Sequence, residues 1–184
     1  MPKILVLYQS RRPDVMHLVE TAASGARSVR FAEVDVRRLA ISDDANDVTV
    51  DSSGRAHRAL GPVDEIGAYD GLILALEPDV HAADALIRAI GTFGGSLANK
   101  VGSVLTPATG PDRRAVLWSA LGSMAERGMI LVPAPFADEG AADAETTTQR
   151  LGKRVAEVVG WVTHARSHHH HEHSHHDQES HHHP

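Results

Sequence analysis

The chain has 184 residues, a formal net charge of −6 and no cysteine. That length suffices for one domain with a full core. The missing cysteines exclude a disulfide framework and a thiol nucleophile. Glu172, Asp177 and Glu179 near the C-terminus account for −3 of the net −6, so neither body nor tail is basic, which argues against a nucleic-acid surface. No run approaches the ~20 apolar residues of a membrane span. The N-terminus has one Lys and then an apolar run, without a signal-peptide pattern. A cytoplasmic protein without membrane or nucleic-acid partners is expected.

Ile4 to Tyr8 is continuously apolar, the pattern of a strand covered on both faces. Gln9 to Pro13 follows as a loop. Val15, Leu18, Val19, Ala22, Ala23 and Ala26 then recur at helical spacing, and Val29 to Val36 alternates as a second strand. Strand, helix, strand within about 30 residues is one βαβ unit. Arg37 to Pro62 is the least regular stretch. It reads either as a small hairpin around Ser53-Gly54 or as a mobile surface loop. Pro62 to Ile66 suggests a short helix.

Tyr69 to Glu77 is a third strand, buried along Leu72 to Leu76. Pro78 and Asp79 end it and open a helix carrying Val80, Ala83, Leu86, Ile87 and Ile90, stopped by Gly94 and Gly95. Lys100 to Leu105 is a fourth strand, and Thr109-Gly110-Pro111 turns it into a helix with Pro111 suited to the first helical position. Leu117, Ala120, Leu121 and Met124 form that helix's apolar face, and Gly128 ends it. Met129 to Val132 is a fifth strand. Ala137 to Asp143 is an acidic loop, and Leu151, Val155, Val158 and Val162 mark the last helix. Five strands alternating with helices predict an α/β fold, a doubly wound parallel sheet in three layers.

After Ser167 the composition changes. The segment 168–184 holds ten of the fourteen histidines and almost nothing apolar. It cannot build a core and is expected to be disordered, leaving residues 1–167 as the folded body. His168, His169, His170, His171, His173, His175, His176, His181, His182 and His183 offer imidazole nitrogens to Ni²⁺, Zn²⁺, Cu²⁺ or Co²⁺. Glu, Ser, Asp and Gln interrupt the run, unlike a purification tag, so it reads as a native tail.

Three stretches carry a resemblance: KILVLYQS at the first strand, YDGLILALEP at the third, and RGMILVP from Arg127 to Pro133 at the fifth. QRLGKRVAEVV fits the same pattern as a closing helix. The chain resembles flavodoxin-like NAD(P)H:quinone oxidoreductases, the tryptophan-repressor-binding-protein (WrbA-like) family, over roughly Lys3 to Val162. The resemblance implies a flavodoxin-like sheet of order 2-1-3-4-5, FMN at the switch point, a homodimer or homotetramer, and two-electron reduction of quinones by NAD(P)H, with the chemistry on the flavin. It also implies FMN phosphate at Ser10, Arg11, Arg12 and the backbone of Asp14 and Val15. The ring would lie between Pro78, Asp79, Val80 and His81 on one side and Thr106, Thr109 and Gly110 on the other.

The loops depart from that pattern. Pro13 stands at the family's glycine and has no N–H for a phosphate. The second loop lacks the family's arginine, aromatic and glycine. Each candidate residue also has an ordinary structural role: Ser10 to Arg12 as a solvated turn, His81 as an exposed residue at a helix start, Thr106, Thr109 and Gly110 as turn chemistry, Asp79 as a helix cap and Glu77 as a solvated loop residue. Three readings remain: an FMN-dependent NAD(P)H:quinone-type oxidoreductase, a flavin-free flavodoxin-like binding protein with a metal-binding histidine tail, or a soluble oligomeric scaffold with neither activity.

Overall fold

The computed structural model describes residues 1–39, 49–50, 56–60, 63–107, 109–110, 112–134 and 141–172. The strands are β1 (Lys3–Tyr8), β2 (Glu33–Leu39), β3 (Thr49–Val50), β4 (Ala56–Leu60), β5 (Gly71–Ala75), β6 (Val101–Leu105) and β7 (Ile130–Leu131). The helices are α1 (Pro13–Arg27), α2 (Val80–Thr92), α3 (Arg113–Glu126) and α4 (Ala141–Glu172). The five expected parallel strands stand in the order β2-β1-β5-β6-β7, which is 2-1-3-4-5 in the counting of the sequence.

The irregular stretch adds two strands at the β2 edge. β4 runs parallel to β2, and β3 pairs antiparallel with β4, Thr49 opposite His57. Of the two expectations for this region the hairpin is the one observed; its turn, Ser53-Gly54, lies outside the described residues.

Alternation along β1 divides the core. Ile4, Val6 and Tyr8 join Ile73, Val101 and Leu105 under α1 and α4. Leu5 and Leu7 join Leu72, Leu74 and Val104 under α2 and α3. Each fully buried aliphatic side chain contributes ~1.5–3 kcal/mol relative to exposure, so a strand buried on both faces anchors both layers.

α1 and α4 meet at backbone distance. A Cβ built on Gly25 would lie 2.0 Å from the Gln149 carbonyl oxygen, and one on Gly152 would lie 2.0 Å from that of Ala22. At the amino end of the sheet, Lys100 Nζ donates to the carbonyls of Gly67 (2.8 Å) and Tyr69 (2.6 Å). Burial lowers the Lys100 pKa.

Several boundaries differ from the reading of the sequence. The second strand starts at Glu33 rather than Val29, because Phe31 takes a left-handed φ of 67° and is 60% exposed, a conformation no strand accepts. The short helix is a 3₁₀ turn, Val63–Ala68. α3 begins at Arg113 after Asp112; Pro111, expected to open it, lies outside the described residues. Residues 141–143 are the first turn of α4 instead of loop, and 137–140 lie outside the described residues. α4 is assigned from Ala141 to Glu172. Residues 173–184 lie outside the described residues. Among the described residues no helix is long and apolar enough to cross a membrane.

Candidate functional site

The carboxyl ends of β1, β5 and β6 bring three loops together. In a sheet of this order the ligand crevice lies at the switch point between the first and third strands of the five, here β1 and β5. Tyr8 and Ala75 are register partners, so Ser10 and Glu77, each two residues further on, leave the sheet side by side. Ser10 is 3% exposed, and its hydroxyl donates to Glu77 Oε1 at 2.6 Å. The Ser10 hydroxyl oxygen in turn accepts the Arg12 N–H at 3.0 Å.

Pro13 opens α1, as its fixed φ and missing N–H favour. The positive end of that helix holds a carboxylate of the chain itself. Asp14 Oδ1 accepts the Val15 N–H at 3.0 Å. Arg12 grips the same carboxylate with both prongs, Nε to Oδ1 at 3.1 Å and Nη2 to Oδ2 at 2.7 Å. The Arg12 hydrogen bond, with the Val15 N–H and the guanidinium charge behind it, holds the Asp14 carboxyl below the usual carboxylate range, and the same contact raises the Arg12 pKa. Arg11 is exposed beside them.

In the second loop Pro78 is buried, and Asp79 caps α2 by accepting the Ala82 N–H at 2.9 Å. Val80 and His81 are exposed in the first turn of α2. The third loop touches the second: a Cβ on Gly110 would lie 2.3 Å from Pro78 Cβ. Thr109 and Gly110 are exposed. Thr106 is buried, on the wall of a cavity of about 40 Å³ shared with Leu18, Arg113, Leu117, Thr148 and Leu151. At ~10–15 Å³ per water this holds a few waters, far below the ~300 Å³ at which ligand pockets begin.

The structure therefore gathers Ser10, Arg12, Asp14, Val15, Pro78, Asp79 and Gly110 at the carboxyl end of the sheet, and Thr106 lines the small cavity. The residues do not fit FMN as arranged. A phosphate at α1 would compete with the Asp14 carboxylate for Arg12 and the Val15 N–H, and would face Glu77 across Ser10. Asp79 is a cap, as expected. Glu77 is half-buried and hydrogen-bonded rather than a solvated loop residue. Its pairing with Ser10 follows from strand register, which a single sequence does not display.

A second buried group escaped the sequence reading. Tyr8 Oη lies 2.9 Å from His57 Nδ1, with the rings edge to face at 5.7 Å. Arg38, the register partner of Tyr8 on β2, is 2% exposed. These side chains fasten the added hairpin to the carboxyl end of β1. Among the described residues no cluster of metal-ligating side chains occurs.

No family model matches the chain. Solved structures match its fold. A flavodoxin from Streptococcus pneumonia TIGR4 aligns at a TM-score of 0.60 with 10% identity, over 84% of this chain and 98% of that one. Flavodoxin 2 from Bacillus cereus aligns at 0.57 with 16% identity, over 84% and 98%. A flavone reductase aligns at 0.59 with 18% identity, over 89% of this chain and 65% of that one. The chain has the flavodoxin-like fold.

Proposed function

We propose that this chain is a flavin-free flavodoxin-like binding protein that takes up divalent transition metal through its histidine-rich C-terminal segment. The observation that carries the first half is the carboxylate at α1. Asp14 already satisfies Arg12 and the Val15 N–H, with Glu77 on Ser10 beside it. An FMN phosphate would have to displace one carboxylate and approach the other. The contact of Gly110 with Pro78 removes the gap between the two loops that would flank the ring. Metal uptake rests on the chemistry of the ten tail histidines, His168 to His183.

The competing reading is an FMN-dependent NAD(P)H:quinone-type oxidoreductase of the WrbA-like family, a cytoplasmic homodimer or homotetramer. Its support is the convergence of the Ser10, Pro78 and Gly110 loops at the switch point of a flavodoxin-like sheet. Titration of the full chain with FMN, read by quenching of flavin fluorescence, separates the two. Absence of binding at high protein concentration is expected. Saturable binding at micromolar FMN, together with NAD(P)H oxidation, would overturn the flavin-free reading. Metal uptake is measured separately, by titration of the full chain and of a chain ending at Ser167, and disappears from the latter.

A further inference from the structure

The outer face of α3 is unlike those of its neighbours. On α2 Asp84 pairs with Arg88, and on α4 Lys153 pairs with Glu157. Between Arg114 and Glu126, α3 has eleven residues without a charge. Val116, Leu117, Ala120 and Met124 turn into the core. At about 100° per residue, positions 114, 115, 118, 122, 125 and 126 fall within about 120° of arc on the opposite side, and all six are exposed. Trp118 among them is 60% exposed. Nothing lies within 4 Å of a Cβ added at Gly122. The two charges that bound this face stand against their own helix. Arg114 lies in the first turn, at the positive end of the dipole, and Glu126 closes the last, at the negative end. No acidic residue in the first turn and no basic one in the last offsets them. Among the described residues neither has an ion-pair partner.

We infer that this face is the contact between two copies of the chain, which pack α3 against α3 antiparallel about a two-fold axis at the level of Ala120. That arrangement sets Arg114 of each copy opposite Glu126 of the other, Ala115 opposite Ala125, and Trp118 opposite Gly122. The members of each pair are equally far from position 120 in sequence, so all three pairs come into register together. A two-fold contact uses the same patch on both copies and needs this self-complementarity. The alanines let the helices approach, Gly122 leaves room for the indole, and antiparallel dipoles bring opposite ends together. The charges select the occupant and its direction: a parallel pair would set Arg114 on Arg114 and Glu126 on Glu126, like charge on like.

One helix face falls short of the roughly 800 Å² per partner of a standard interface. The dimer is therefore weak and concentration-dependent, with a dissociation constant in the micromolar range. Its contacts use neither the histidine segment nor Ser10 and Glu77, so it forms with or without metal and with or without a ligand at the crevice.

The test is sedimentation equilibrium of the full chain across the micromolar range, with a chelator present so that the histidines cannot bridge copies through a metal. A monomer–dimer equilibrium is expected. Gly122→Arg places a charge opposite Trp118, while its Cβ meets nothing in its own monomer and the helix gains propensity. It keeps the circular dichroism of the wild type and sediments as a monomer. Arg114→Glu alone, or Glu126→Arg alone, raises the dissociation constant by about tenfold, because two symmetry-related pairs turn from attraction to repulsion. The two substitutions together restore the wild-type constant, since the same pairs then meet with their signs exchanged. A wild-type chain that is monomeric at every concentration would overturn the contact and leave the face to a partner of another kind. A dimer that Gly122→Arg does not weaken would place the contact elsewhere on the surface. Failure of the double variant to restore association would overturn the antiparallel two-fold.

Discussion

Replacing Gly152 with alanine tests the closest approach in the fold. In an isolated helix the change stabilises by about 1 kcal/mol. Here a Cβ would meet the Ala22 carbonyl oxygen at 2.0 Å, where ordinary contact begins at 3.4 Å. Both sides of that clash are backbone, so no rotamer relieves it. α1 and α4 must separate by about 1.4 Å at this point, the shortfall between those two distances. Separation loosens Val15, Val19 and Ala26 against Leu151, Val155 and Val159. Overpacking of a well-filled core costs about 1–3 kcal/mol, and a rigid backbone contact belongs at the upper end. Subtracting the propensity gain leaves a net loss of about 1–2 kcal/mol, or a fall in Tm of about 2–8 °C for a chain of this size. Gly160→Ala on the same helix is the control. Nothing lies within 4 Å of its added Cβ, so it shows the propensity gain alone, about 0.5–1 kcal/mol. Urea unfolding followed at 222 nm reads both. If Gly152→Ala matched Gly160→Ala in sign, the backbone contact between α1 and α4 would be wrong.

Tyr69 carries a pH dependence. Its hydroxyl donates to Asp35 at 2.8 Å, and burial, together with that carboxylate, raises its pKa to about 12. A raised folded pKa stabilises the fold fully below the ordinary phenol value near 10 and loses that contribution as pH climbs toward 12. Urea midpoints at pH 9 and pH 11.5 should differ more for the wild type than for Tyr69→Phe; equal differences would refute the assignment. Tyr8→Phe removes the hydrogen bond to buried His57 and should cost about 1–3 kcal/mol, seen as a lower urea midpoint with the fold retained. A neutral result would mean that the bond is replaced. Asp14→Asn with Glu77→Gln takes away the two carboxylates at the crevice and should confer binding of inorganic phosphate that the wild type lacks, measured by calorimetry. If the double variant binds no phosphate, the carboxylates are not what keeps anions from α1. For Asp14 itself, the lowered pKa places its contribution to stability above the ordinary carboxylate value and removes it as pH falls below.

Much of this molecule was legible from periodicity. The apolar run Ile4 to Tyr8 and its counterpart at Leu72 to Leu76 are each buried on both faces, and only the centre of a parallel sheet offers that environment. Helical spacing in Val15 to Ala26 and in Leu151 to Val162 located the pair of helices that cover one face, and Asp79 announced its cap by standing just before an apolar-periodic stretch. These features are local: each is written in residues a few positions apart, where backbone geometry alone relates them.

The site was not local. Ser10 and Glu77 are 67 residues apart, and they meet because β1 and β5 pair in one register rather than a neighbouring one. His57 reached Tyr8 because an irregular stretch added itself to the sheet edge, and Phe31 turned the chain where alternation alone read strand. The two glycines that bring α1 and α4 into backbone contact each stand opposite a carbonyl of the other helix. The sequence by itself determined the layers and the order of elements, because the burial pattern carries that information. Which carboxylate answers Ser10 and what occupies the N-terminus of α1 were decided by tertiary structure, since register sets the distances on which charge depends.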